Sequence, residues 1–314
     1  MPAHNHHDAP EHSSTQPPSG DDPTGQPSAT QPVPAGYQKV ETRDGVKIVR
    51  DAPVSFVRRE LAMSANRQRL WQDHTGTTIL PVSRLFGQTS VAPQSQLNIT
   101  ETWGHDAPLI IDIGVGHGES TFAGATAHPD KNFLAVEVYR PGLAKLLDRV
   151  DSENVTNIRM VEANAPEVLD HMVPEHAAAE VWVFFSDPWP KTRYHKRRLI
   201  QPKFLDRVAR VLQIGGLIRL ATDWSHYAMQ MRDTLDAHPA FKNLHPSRLA
   251  GKTSPLTLAR LHGTDDGTPL SEAEALDAIG GWAPRFETRP VTSFEAKAQR
   301  AGRYIFDLTY QRTD

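Results

Sequence analysis

Between residues 108 and 222 the chain alternates short apolar runs with stretches whose apolar residues recur at helical spacing. The runs lie at 109–113, 133–138, 157–161, 181–185 and 217–221. They are short and rich in Val, Ile and Phe, which predicts strands rather than helices. Between them Leu143, Leu146, Leu147 and Val150 mark one helical face, and Phe204, Leu205, Val208 and Leu212 mark another. Pro141 and Pro202 stand where helices should begin, because the first turn leaves its N–H groups unpaired and proline lacks one anyway. Gly215 and Gly216 stand where a helix should stop. Fully apolar strands alternating with amphipathic helices predict an α/β fold, a doubly wound and mostly parallel sheet covered on both faces. A late strand is expected at 304–310, after an irregular stretch from about 247 to 293, and no internal repeat is visible.

Upstream the pattern changes. Residues 1–36 carry eight prolines, many Ser, Thr and Gln, and almost no large apolar side chains. Such a segment buries too little surface to offset its chain entropy, so a disordered tail is expected. His4, His6, His7 and His12 have no rigid scaffold there, so they read as polar tail and no metal site is expected. Residues 37–104 form a basic lead-in: up to residue 100 it holds nine bases against five acids, with clusters at Arg58-Arg59 and Arg67-Gln68-Arg69. Short helical pieces are expected in it, leading into a main domain over 105–314.

Composition narrows the chemistry. The chain has 34 Lys and Arg against 37 Asp and Glu, but the tail holds four of the acids and none of the bases, leaving 34 against 33 for the rest. A polyanionic partner therefore requires a local basic patch. Zero cysteines remove disulfides, thiolate metal sites, iron–sulfur clusters and any cysteine nucleophile. No apolar run reaches about 18 residues and no secretory leader is apparent, so a cytoplasmic protein is expected.

Two segments carry the candidate chemistry. The first strand runs into Asp112-Ile-Gly-Val-Gly-His-Gly118, where Gly114, Gly116 and Gly118 permit a tight turn and close ligand approach at a helix N-terminus. The second strand ends at Glu137, whose carboxylate is suited to a ribose diol. A dinucleotide fingerprint would put glycine at 119, where this chain has Glu119 facing the expected pyrophosphate. Acids suit a sulfonium cofactor, S-adenosylmethionine, better, although a nicotinamide cofactor stays open at this point. Asn164 follows the third strand, as an adenine contact or a plain helix N-cap. The fourth strand delivers Asp187-Pro-Trp-Pro-Lys191, a loop stiffened by two prolines. Arg193, Tyr194, His195, Lys196, Arg197 and Arg198 follow at once, so five permanent cations occupy eight residues, with Trp189 and Tyr194 as stacking rings. That favours nucleic acid over a merely solvated helix face. Asp223, after the fifth strand, is either a helix N-cap or an acceptor for a substrate base.

These segments resemble the bacterial tRNA (guanine-N7)-methyltransferases. The resemblance runs through the glycine loop, Val136-Glu137 to Pro141-Gly142, Phe184 to Lys191, His195 to Pro202, Leu220 to Trp224, and Arg289 to Glu295, with residues 55–59 resembling the family's lead-in. It covers about residues 105–310. It implies a class I methyltransferase sheet of seven strands with the last antiparallel, S-adenosyl-L-methionine as methyl donor, and tRNA methylated at guanine 46 of the variable loop. Carried onto this chain, Asp112, Gly114, Gly116, Glu137, Asn164 and Asp187 would hold the cofactor, with Asp187 also catalytic. Lys191, Asp223, Thr292, Ser293, Phe294 and Glu295 would meet the substrate, and residues 193–198 the RNA. Asp112, Asn164 and Ser186 depart from the family's usual Glu, Asp and Pro. Methylation of another RNA or of a protein is the alternative.

Overall fold

The computed structural model describes residues 33, 37–42, 45–50, 63–85, 87–249, 280–301 and 303–314. The expected tail (residues 1–36) lies outside them apart from residue 33, as do the 55–59 segment and residues 250–279 of the expected irregular stretch.

The lead-in holds more than helical pieces. Strands β1 (Tyr37–Thr42) and β2 (Gly45–Arg50) pair as an antiparallel hairpin. Helices α1 (Ala65–Asp73) and α2 (Ile99–Trp103) follow. Each starts on a side-chain cap, Ser64 accepting from Arg67 N–H and Asn98 from Glu101 N–H. The segment after α1 joins the sheet domain: Thr78 C=O accepts from Met160 N–H (2.8 Å), and Leu80 N–H donates to Met160 C=O (2.9 Å).

The sheet then builds in alternation: β3 (Leu109–Ile113), α3 (Glu119–Ala127), β4 (Asn132–Glu137), α4 (Arg140–Ser152), β5 (Ile158–Glu162), α5 (Ala165–His171) and β6 (Ala178–Phe184). A 3₁₀ helix (Thr192–Arg197) precedes α6 (Pro202–Val211), β7 (Leu212–Thr222), α7 (Ser225–Asp236), β8 (Phe241–Asn243), α8 (Ser293–Arg300) and β9 (Phe306–Arg312). The seven strands lie in the order β5-β4-β3-β6-β7-β9-β8, with β9 antiparallel to both its neighbours. This is the expected class I sheet. The helical stripes face inward as predicted, with Leu143, Leu146, Leu147 and Val150 buried on α4 and Phe204, Leu205 and Val208 on α6. Pro141 and Pro202 do open α4 and α6.

One expectation fails. Gly215 and Gly216 do not end a helix: α6 stops at Val211, and the glycines lie within β7, where the register against β6 shifts. A Cβ on Gly216 would stand 2.8 Å from Gln213 O, so it is the irregular strand, not a cap, that requires a residue without a side chain. The three-residue β8 was not anticipated as a run, since only Phe241 of its residues is buried.

Because β3 to β7 are parallel, their C-terminal ends share one edge, and the chain reverses direction across the sheet between β3 and β6. Ligands of such sheets bind at that switch point. The C-terminal segment is fixed over this edge by a buried ion network. Arg289 donates to Glu295 (3.2 Å) and, bidentately, to Asp307 of β9 (2.5 and 3.2 Å), while Arg285 donates to Glu295 (2.9 and 3.2 Å). Arg289 and Glu295 are almost wholly buried. Arg289→Met should leave Asp307 buried without its counter-charge and lower unfolding stability by about 3–5 kcal/mol. Urea denaturation checks this, and a loss below about 1 kcal/mol would show the network to be marginal.

Candidate active site

The glycine loop is shaped by what packs against it. Gly118 has φ +72°, and a Cβ there would lie 2.7 Å from the Leu146 side chain of α4. A Cβ on Gly142 would sit 2.2 Å from Gly116 O, so α4 approaches the loop closely only because that position is glycine.

Glu137, at the end of β4, anchors the loop. Gly116 N–H donates to its Oε2 (2.9 Å), and the N–H groups of Val138 (2.7 Å) and Tyr139 (3.0 Å) donate to Oε1. Three of a carboxylate's roughly four acceptor directions are thus filled by amides. Burial pushes Glu137 above the usual carboxylate range, the three amides pull it back, and the charge of Asp187 raises it further. The glycine loop and the Asp187 loop follow β3 and β6, neighbouring parallel strands, so both leave the same edge of the sheet.

Asp112 lies beneath the loop rather than on its surface. It is 2% exposed and accepts from Thr121 Oγ1 (2.6 Å). Burial pushes its pKa up to about 7, with a smaller contribution from Glu137 and opposition from the Thr121 bond. Asn164 occupies the N-cap position of α5 but makes no capping bond. Its Nδ2 donates to Glu167 Oε1 (3.2 Å), which fixes the amide's orientation and leaves the buried Oδ1 without a hydrogen-bond partner among the described residues. A buried acceptor in that condition fits a ligand donor such as an exocyclic amine.

Asp187 is exposed beyond the end of β6, and residues two before and two after it, Phe185 (φ +57°) and Trp189 (φ +43°), lie in the left-handed region. Strain of this kind persists where surrounding structure enforces it, commonly at functional sites. Ser186, where the family usually has Pro, donates to Tyr227 OH (3.4 Å). Lys191, Arg193, Lys196 and Arg197 are exposed. Arg197 lies over both Trp189 (5.0 Å) and Tyr194 (4.9 Å), and Arg193 over Tyr194 (4.8 Å), so rings and guanidinium groups interleave. His195 is half-buried and stacks against His226 (4.8 Å). Arg198 does not belong to this surface: it is wholly buried, with Nε donating to Pro188 O (2.7 Å).

Asp223 is not a helix cap, because the N-cap of α7 is Trp224; its carboxylate accepts from Arg303 (2.8 Å). Of the four residues at 292–295, only Phe294 is openly exposed, and its ring lies 3.8 Å from where a Cβ on Gly116 would be. Thr292 caps α8 by accepting from Glu295 N–H, and Glu295 is taken up by Arg285 and Arg289. In the sequence, Glu119 stands out only as a residue that disfavours a dinucleotide. In the fold its carboxylate accepts from Ser293 N–H (3.1 Å) and Ser293 Oγ (3.3 Å), tying α8 to the start of α3. An acid in the first turn of α3 facing the N-terminus of another helix is favourable to both dipoles, but the pairing spans 174 residues and no local pattern signals it.

The raised Asp112 pKa has a stability consequence. The folded protein keeps this proton until about pH 7, whereas the unfolded chain releases it near 4, so ionisation favours unfolding as pH rises between those values. Asp112→Asn removes the titration. The stability of the variant relative to the parent should therefore rise by up to about 4 kcal/mol from pH 4 to pH 7.5, and a difference independent of pH would contradict the assignment.

Residues 106–258 match a family model described as "Putative methyltransferase". The tRNA (guanine-N(7)-)-methyltransferase of Paenarthrobacter aurescens (strain TC1) is 46% identical over 275 residues, covering 83% of this chain and 91% of that protein. Its namesake from Arthrobacter sp. (strain FB24) is 45% identical, covering 91% of this chain and 93% of that one. A third, from Cutibacterium acnes (strain DSM 16379 / KPA171202), is 38% identical with 85% of each covered. On this similarity, across a sheet and site built as described, the chain belongs to the tRNA (guanine-N(7)-)-methyltransferase family.

Proposed function

We propose that the protein transfers a methyl group from S-adenosyl-L-methionine to N7 of guanine 46 in the variable loop of tRNA, in the cytoplasm. The observation that carries this reading is the apposition of two loops at the switch point. The Glu137-anchored glycine loop and the Asn164 acceptor follow β3, β4 and β5 on one side, and Asp187 follows β6, the parallel neighbour of β3, on the other.

The residues present fit the donor. Asn164 Oδ1 would accept from the adenine amino group, Glu137 from the ribose through its remaining acceptor direction, and the acids would suit a cation. When bound, the donor supplies an activated methyl group on a sulfonium. Guanine N7 carries an in-plane lone pair and no proton to lose, so the chain need not provide a general base. Its task is alignment, which the stiffened Asp187 loop serves. As the methyl transfers, positive charge develops on the purine, and the Asp187 carboxylate would stabilise it. Lys191, Arg193, Lys196 and Arg197 would meet phosphates, with Trp189 and Tyr194 available for stacking.

The test is methyl transfer from labelled donor to unmodified tRNA, with the product nucleoside identified by mass and its position mapped by borohydride–aniline cleavage. N7-methylguanosine at position 46 is the expected product. Donor binding without tRNA methylation would redirect the assignment to another RNA or a protein. Asp187→Asn should lower kcat by about 100-fold or more, and wild-type turnover in that variant would contradict the electrostatic role. With four exposed cations on phosphates, log affinity for tRNA should fall against log salt with a slope of about −3 to −4. Replacing Arg193 and Arg197 together by Ala should make it less steep by about 2, and an unchanged slope would remove them from the interface.

A further inference from the structure

We propose that Arg198 is a positioning residue for methyl transfer, holding the Asp187 loop in its working shape from behind rather than binding RNA with its neighbours. This deepens the functional reading above and rests on it for the reaction concerned. Arg198 closes the run of cations in sequence, yet it alone of the five is buried, at 0% exposure. Its Nε donates to Pro188 O (2.7 Å), inside the loop. Its Nη1 donates to His226 Nδ1 (3.0 Å) and Gln230 Oε1 (3.0 Å), both on α7, and its guanidinium lies 5.0 Å from the Tyr227 ring centre.

Two of the same α7 residues, Tyr227 and Gln230, hold the two ends of the loop. Tyr227 OH accepts from Ser186 Oγ (3.4 Å) at the entry and from Ile200 N–H (3.1 Å) at the exit, and Gln230 Nε2 donates to Ile200 O (2.8 Å). Arg198 adds a short bond to the middle, at Pro188, beside the longer contact of His195 Nε2 with Pro190 O (3.3 Å). The loop needs such a fixture, because Pro188 and Pro190 contribute no N–H and Trp189 sits in a strained left-handed conformation. Fixing the Pro188 carbonyl fixes the peptide plane between Pro188 and Trp189. That sets the direction of the Trp189 ring and, through the rigid proline, of Asp187 on the other side. A planar fork can meet acceptors from two elements at once, which a lysine ammonium on the same stem does less well.

The test compares Arg198→Met and Arg198→Lys with the parent in steady-state methyl transfer, donor binding, the salt dependence of tRNA binding, and the indole N–H NMR spectrum. Trp189 would be assigned by loss of its signal in Trp189→Phe. For Arg198→Met, kcat should fall about 100-fold, as expected for a reacting group displaced by about an ångström, with KM for tRNA and donor affinity within about 2-fold. The salt slope should be unchanged, and among the six tryptophans the Trp189 resonance should move most. Arg198→Lys should fall between, with kcat reduced about 10-fold, and it carries the test if the Met variant does not fold. A raised KM with a slope less steep by about 1 would mean that Arg198 meets a phosphate, and would overturn the proposal. So would an unmoved Trp189 resonance or an unchanged kcat. If the parent protein transfers no methyl group to tRNA, the functional reading fails separately, and the Trp189 resonance in the free protein alone decides the role of Arg198.

Discussion

One carboxylate holds the crevice in shape. Glu137 ends β4 and accepts amides from the glycine loop and from the two residues that follow it, so loop, strand end and the start of α4 are joined at one group. The cost of burying that charge is partly offset by these three bonds. The close packing of Gly142 on Gly116 and of Leu146 under Gly118 then leaves the loop little room to move. On the proposed reading, a donor entering such a site would meet acceptors already aimed, and binding need not order them.

The second wall is assembled from far along the chain. Glu119 holds the N-terminus of α8, Arg289 joins Glu295 to Asp307 of β9, and Phe294 is thereby set over the glycine loop. The acids and bases of this wall serve mainly one another. Glu295 and Thr292, which the resemblance implies as substrate contacts, are buried parts of this frame, and Asp223 is paired with Arg303. The exposed chemistry is concentrated in the Asp187 loop and the interleaved rings and guanidinium groups beside it.

The parallel strands and their helices were legible in the sequence because burial on both faces forces continuous apolar runs, and burial on one face forces a helical stripe. The glycine loop and Asp187 loop were legible for a related reason, since their backbone geometry restricts residue type. What escaped was set by tertiary contact. The β8 strand is three residues with one buried side chain, too short to show a period. Gly215 and Gly216 carry the same signal for an irregular strand as for a helix end. Arg198 looks like its four exposed neighbours in sequence, and only the placement of α7 turns it inward. Glu119 and Ser293 meet across the whole domain.

On the proposed reading the crevice aligns one atom, N7 of guanine 46, with the donor methyl group. The most direct test of that alignment is a tRNA carrying 7-deazaguanosine at position 46, in which a C–H replaces N7 and the remaining edges of the base are unchanged. Such a tRNA should bind as the guanine form does and accept no methyl group. Methyl incorporation at the guanine level would rule out N7 as the acceptor, because a different atom would then take the methyl group.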